Sequence, residues 1–161
     1  MTTAHIGDPE IRSFIEAARI AILATTRRDG SPQLSIVSFA SLDGAIVIST
    51  ARDRAKTRNI RRDSRVTLAV LRTDPLEPGG SGVAGQPRAE GVYVYGRAEI
   101  IDRPAEELVP LAQPIGARAG RPEAPEALAE RLRRENRIIL RITPERVVVS
   151  PSTAARLSQG I

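Results

Sequence analysis

Apolar and polar positions alternate along much of this chain with the two-residue period of half-buried strands. The pattern predicts strands over Ile20–Thr26, Leu34–Ala40, Ala45–Thr50, Val66–Leu71, Gly91–Asp102 and Arg137–Thr143, with Arg146–Ser150 as a last short run. Turn chemistry separates the first of them. Arg27-Arg28-Asp29-Gly30 and Leu42-Asp43-Gly44 each place a glycine where a hairpin turn calls for positive φ. Helical spacing of Ile11, Phe14, Ile15 and Ala18 predicts an amphipathic helix over Pro9–Ala18. Two more are predicted over Pro104–Leu111 and Glu126–Glu135, where Leu128 and Leu132 stand one turn apart. A fourth runs from Arg54 to about Arg62, with Asp53 as its expected N-cap.

Six or seven short strands with one crossover helix and a few peripheral helices describe a small, mainly β barrel of α+β class. They do not describe alternating βαβ units. The 161 residues suit one domain with a substantial core. Residues 1–9 are expected to be a flexible tail, 73–90 an irregular Pro- and Gly-rich loop, Gln113–Pro125 a connector and 151–161 a weakly patterned tail.

Composition then removes most side-chain chemistry. There is no cysteine, hence no disulfide, no thiolate nucleophile and no cysteine-ligated metal. His5 is the only histidine and stands near the N-terminus, so neither a histidine triad nor a histidine metal site is expected, and no catalytic side chain stands out. An enzyme built this way takes its reactivity from an organic cofactor. Neither GxGxxG after a strand nor GxxxxGK[ST] occurs. No run approaches membrane-spanning length and the first residues lack a signal peptide's pattern, so a soluble cytoplasmic protein without membrane contact is expected.

Charge points to an anionic partner. Lys plus Arg number 24 against 19 Asp plus Glu, a net charge of +5 carried almost wholly by arginine. Two clusters, Arg52–Arg65 and Arg131–Arg137, raise nucleic acid as a possible partner. Two tyrosines, two phenylalanines and no tryptophan leave little for base stacking, and acidic residues interrupt the second cluster, so nucleic acid is the weaker expectation. Tyr93 and Tyr95 share one face of their strand; core packing is their simplest use, and a substrate or dimer contact is the other.

The first cluster is the more informative. On a helix, Arg54, Arg58, Arg61 and Arg62 share a broad face while Lys56 projects beside Asn59 and Ile60, towards the packed side. An unpaired ammonium there is costly. A bound phosphate resolves the cost, because free N–H groups at the helix start and the Ser49 and Thr50 hydroxyls just upstream converge on the same oxygens. A solvated basic helix, with the Lys56 stem lying over the sheet, is the alternative.

The ordered set Asp29-Gly30-Ser31-Pro32-Gln33, Leu42-Asp43-Gly44, Ser49-Thr50 and Lys56-Thr57-Arg58-Asn59-Ile60-Arg61-Arg62-Asp63 before Arg65-Val66 resembles a known superfamily. It is the pyridoxamine-phosphate-oxidase-like split β-barrel superfamily, in particular its actinobacterial branch of deazaflavin (coenzyme F420)-dependent oxidoreductases. Tyr95-Gly96-Arg97-Ala98-Glu99-Ile100 matches more weakly, and the pieces span most of residues 14 to 102. The resemblance implies a homodimer that holds a flavin or deazaflavin at its interface. It implies that Ser49, Thr50, Arg54 and Lys56 hold the phosphate, and that the ring lies along Gln33–Ser38 beside Ser35, Ile36 and Val37. F420 is the implied cofactor. FMN is the alternative, because many F420-associated relatives read Pro-Val-Trp where this chain has Ile36-Val37-Ser38. The implied function is hydride transfer from reduced F420 to an electron-poor small organic acceptor. A non-catalytic carrier of flavin, F420 or haem on the same barrel is the other possibility.

Overall fold

The structure, a computed structural model, describes residues 2–73 and 89–158. Its strands are β1 (Thr2–Ala4), β2 (Ile20–Thr26), β3 (Pro32–Ser38), β4 (Ala40–Leu42), β5 (Ala45–Ala51), β6 (Arg65–Thr73), β7 (Ala89–Ile101) and β8 (Arg137–Val149). The helices are α1 (Pro9–Ala17), α2 (Ala55–Arg62), α3 (Ala105–Arg118), α4 (Pro125–Arg134) and α5 (Pro151–Ser158). Seven strands follow one antiparallel path, β3-β2-β6-β7-β8-β5-β4, and β1 adds to β8 off that path. The sheet curls so that β3 comes back beside β5, with a cleft between them in place of a ladder. This is the expected mainly β split barrel.

Local chemistry explains the corners. Asp43 and Gly44 both have positive φ, 50° and 74°, the pair of values a two-residue type I′ hairpin turn needs between β4 and β5. At Gly96 an added Cβ would lie 2.2 Å from the Thr143 carbonyl oxygen, where the β7–β8 register shifts between Tyr95 and Gly96. That irregularity lets β8 pass through Pro144 as one continuous strand, where two separate runs were expected.

The curled sheet buries its inner face, including Leu23, Leu68, Val94, Ile138 and Leu140, with Phe14 and Ile15 of α1 closing one end. A second core lies outside the barrel, where α3 and α4 cover Val47 of β5 and Ile139 of β8 with Leu108, Ala112, Ile115, Leu128 and Leu132. Among the described residues, no helix covers the remaining outer face, on β3, β2, β6 and β7, which stays apolar. Ile20, Leu34, Ile36 and Leu71 are 56%, 64%, 75% and 45% exposed. The pairing register aligns Ile36, Ile22, Ala69 and Tyr93 in one row across it, and Leu34, Ala24, Thr67 and Tyr95 in the next.

Several expectations change. Thr2–Ala4, taken as part of a tail, pairs with Val147–Val149 and extends the sheet. Residues 151–158, also read as a tail, form α5, which Ser150 and Thr153 tie to the backbone of Gly91. The Pro- and Gly-rich loop falls, over residues 74–88, outside the described residues. Helix α3 continues through Pro110 and Pro114 to Arg118, into the stretch read as a connector. Buried Ala112 and Ile115 offset the hydrogen bonds that the prolines remove. Arg118 then fastens the last turn, donating to the carbonyls of Ile15, Ala18 and Phe39 at 3.2, 2.5 and 3.3 Å and stacking over the Phe39 ring. Tyr93 and Tyr95 alternate with buried Val92 and Val94 and so stand half-exposed on the open face, outside the core.

Arg118→Ala strips a charged donor from three carbonyls at once. It should lower stability by about 2–3 kcal/mol in denaturant titrations; a loss below about 0.5 kcal/mol would mean that apolar packing alone holds α3.

Candidate functional site

At its end β5 turns through Arg52-Asp53-Arg54 into α2. The turn is held from below by the Arg52 N–H on the Asn136 carbonyl, 3.0 Å, and by the Arg52–Asp102 ion pair. The N-cap of α2 is Arg54, and the carboxylate of Asp53 makes no capping bond. The helix therefore starts one residue later than expected. Thr57 reaches back instead, its hydroxyl donating to the Ala51 carbonyl at 3.1 Å, and Arg58 donates to the Asp53 carbonyl. Among the described residues no acceptor bonds the Ala55 or Lys56 N–H, so two backbone donors point out of the helix start.

The far side of α2 is latched to the sheet. Asn59 is buried and its amide donates to Thr25 Oγ1 and Gln33 Oε1, each at 3.1 Å. Arg62 donates to the Thr26 carbonyl at 2.6 Å and to Asn59 Oδ1 at 3.2 Å.

In front of the helix start lies a cavity of about 300 Å³. Ile36, Val37 and Ser38 of β3 form one wall, Ser49, Thr50 and Ala51 of β5 the floor, and Ala112, Ile115 and Gly116 of α3 the opposite wall. Arg54, Lys56, Arg121, Arg131 and Arg137 line it together with a single carboxylate, Glu123. Arg131 takes that carboxylate, with Nε 3.0 Å from both oxygens. Arg137 is tied to Ser49, its Nε donating to Oγ at 3.0 Å and its Nη2 to the carbonyl at 2.9 Å, with Glu135 3.4 Å from Nη1. Among the described residues, Arg54, Lys56 and Arg121 have no carboxylate within ion-pair distance.

Lys56 is the only lysine among the 24 basic residues. Burial pushes the pKa of its ammonium down, and the positive charges of Arg54 and then Arg137 push it further the same way. Burial also lowers the Arg137 value, against the pull of Glu135. A half-buried cation repelled by two guanidiniums is electrostatically costly, and negative charge beside it lowers that cost. A compact ammonium with three donors suits a tetrahedral oxyanion there.

Six of the eight expected residues, Ile36, Val37, Ser49, Thr50, Arg54 and Lys56, line this one cavity. Thr50 is buried and, as Ser49's neighbour on a strand, leaves the opposite face of β5. Gln33 and Ser35 lie outside it. Gln33 serves the Asn59 latch and its amide also donates to Ser35 Oγ at 3.1 Å. The sequence reading missed Arg121, Arg131 and Arg137 as cavity residues. Two of them belong to the second cationic cluster, weighed there as a nucleic-acid face, and Glu123 and Glu135 account for much of its charge.

A curled antiparallel sheet split at a cationic cleft, with helices over one outer face, defines a split-barrel protein. A family model described as pyridoxamine 5'-phosphate oxidase matches residues 8–150, and the chain belongs to that family. Among solved structures it is similar to the conserved hypothetical protein Rv2991 from Mycobacterium tuberculosis, 26% identical over 92% of this chain and 88% of that one, with a TM-score of 0.73. It is also similar to an F420 reductase, 24% identical over 85% and 94% with a TM-score of 0.60. A third is HutZ, the haem storage protein from Vibrio cholerae, 19% identical over 91% and 95% with a TM-score of 0.65. The last two share the fold.

An anion on Lys56 raises its lowered pKa again, so binding takes up protons between the two values. Affinity for sulfate, which does not itself titrate in this range, should be full below the anion-free Lys56 pKa and fall as pH rises through it. Calorimetry in buffers of different ionisation heat checks this. No proton uptake at alkaline pH would contradict it.

Proposed function

We propose that the chain binds reduced F420, with FMN the alternative, and serves as an F420H2-dependent oxidoreductase acting on an electron-poor small organic molecule. The observation that carries this reading is Lys56, half-buried, lowered in pKa and without a carboxylate, at the start of α2 beside Arg54 and Ser49. The donor set fits a phosphate ester. Lys56, Arg54, the Ala55 and Lys56 N–H groups and the Ser49 hydroxyl would hold it. Similarity to an F420 reductase supports the choice of deazaflavin over flavin.

When bound, the reduced deazaflavin supplies a hydride at C5. The work of the chain is to bind, orient and exclude water. Ile36 on one wall and Ala112 and Ile115 on the other offer apolar surface to a ring system, while Val37 turns its side chain into the barrel core. Asn59 fixes the distance between the helix that grips the phosphate and the strand beside the ring, since its amide holds Thr25 and Gln33. Tyr93 and Tyr95 do not line this cavity.

A homodimer belongs to the same reading. Ile36 is both a wall of the cavity and one of the most exposed apolar residues on the open face of β3, β2, β6 and β7. A second copy seated on that face would bury Ile20, Leu34 and Leu71 and cover the cavity mouth.

Lys56→Ala should weaken F420 or FMN binding about 10- to 100-fold in fluorescence titrations while leaving the melting temperature unchanged or raised, because a costly half-buried cation is gone. Unchanged affinity would remove the cradle. Ile36→Glu should convert a dimer to monomer in sedimentation and weaken cofactor binding with it; a dimer that persists would place the interface elsewhere. Tight binding without oxidation by any acceptor in a panel of enones, quinones and tetrapyrroles would make the protein a carrier.

A further inference from the structure

We infer that Arg137 is a positioning residue that fixes the Ser49 hydroxyl as a donor into the cavity, so that this corner accepts only phosphate-ester oxygens that carry no proton. The inference rests on the phosphate reading above. Its starting point is the hydrogen-bond direction between two residues on neighbouring strands.

The β5–β8 register pairs Ala51 with Arg137 and Ser49 with Ile139, so Ser49 and Arg137 are diagonal neighbours on the same, outer face of the sheet. Arg137 Nε lies 3.0 Å from Ser49 Oγ and Nη2 lies 2.9 Å from the Ser49 carbonyl oxygen. A guanidinium has N–H donors and no acceptor. Ser49 Oγ must therefore accept from Arg137, and its own proton is turned away from that nitrogen. Among the described residues nothing accepts that proton. Ser49 lines the cavity, so the O–H is available to a ligand there.

The rest of the corner has the same polarity. The Ala55 and Lys56 N–H groups, the Lys56 ammonium and the Arg54 guanidinium all donate. The one carboxylate in the wall, Glu123, has both oxygens on Arg131. A protonated ligand oxygen can accept from these donors, but its own proton meets none but donors there, which leaves that O–H unsatisfied in a half-buried corner. An ionised phosphate ester presents acceptors only. That description covers the monoester dianion of FMN and the diester of F420, and the two are separated by titrating each.

The fork is the testable part. Arg137→Lys keeps the charge but cannot serve Ser49 Oγ and the Ser49 carbonyl together. Dissociation constants for F420 and for FMN are measured by fluorescence on the wild type, Arg137→Lys, Ser49→Ala and the double variant, with Ser49→Thr as the conservative replacement. Ser49→Ala should weaken binding about tenfold and Ser49→Thr by less than about threefold. Arg137→Lys should cost about tenfold in the wild-type background and less than about twofold once Ser49 is alanine. The ester whose titration shows that coupling is the one the corner holds. Equal costs in both backgrounds would overturn the inference, as would Ser49→Ala binding like the wild type. Should Arg137→Lys fold poorly, the Ser49→Ala and Ser49→Thr pair decides alone. If Lys56→Ala weakens binding while the cycle is additive, only this inference falls; if Lys56→Ala and Ser49→Ala both leave binding intact, the phosphate reading falls with it.

Discussion

An ammonium held partly out of water, with guanidiniums beside it and no carboxylate in reach among the described residues, is the constraint around which this molecule is arranged. Lys56 cannot lower its own energy by moving far, because α2 is fixed at both ends of its packed face. Thr57 bonds the end of β5, and Asn59 with Arg62 bonds β2 and β3. The cost of the lysine is carried by two apolar cores, one inside the barrel and one beneath α3 and α4. Removing one member of a buried charge pair is strongly destabilising, whereas supplying the missing member recovers that free energy.

The other parts of the site follow from how the sheet ends are covered. Because β3 and β5 come close without pairing, a cleft remains where a closed barrel would have a ladder. Helices α3 and α4 then build a far wall over the outside of β5 and β8, and Arg118 pins that wall to α1 and to the bend after β3. The same hairpin brings Arg121 and Arg131 to the cavity, and Asn136, at φ 49°, makes the tight turn that starts β8 with Arg137 in place. Among the described residues nothing covers the opposite, apolar outer face, and Ile36 joins it to the cavity.

Local chemistry made the hairpin half of the molecule legible. The β2 run Ile20–Thr26, the Asp43-Gly44 turn and the polarity of the helix after β5 were all written in short-range pattern, and so was the unusual position of Lys56. Helix α3 was foreshortened because the stretch from Gln113, rich in Pro, Gly and Arg, read as a connector, while the contacts that extend the helix, those of Ala112, Ile115 and Arg118, come from distant parts of the chain. Arg137 was invisible for a similar reason. Its partner Ser49 lies 88 residues earlier, and only the β5–β8 register makes them neighbours. Gln33 and Ser35, given to the ring by resemblance, lie outside the cavity, and Gln33 bonds Asn59 of α2 and Ser35 beside it.

The most direct measurement is a crystal structure of the protein grown with F420, and a second with FMN. The account predicts the phosphate of the bound molecule at the start of α2, within hydrogen-bond distance of the Ala55 and Lys56 N–H groups and of Ser49 Oγ, with its ring between β3 and α3. A phosphate bound anywhere else, or Lys56 neutralised by one of the protein's own carboxylates with the cleft closed, would contradict it.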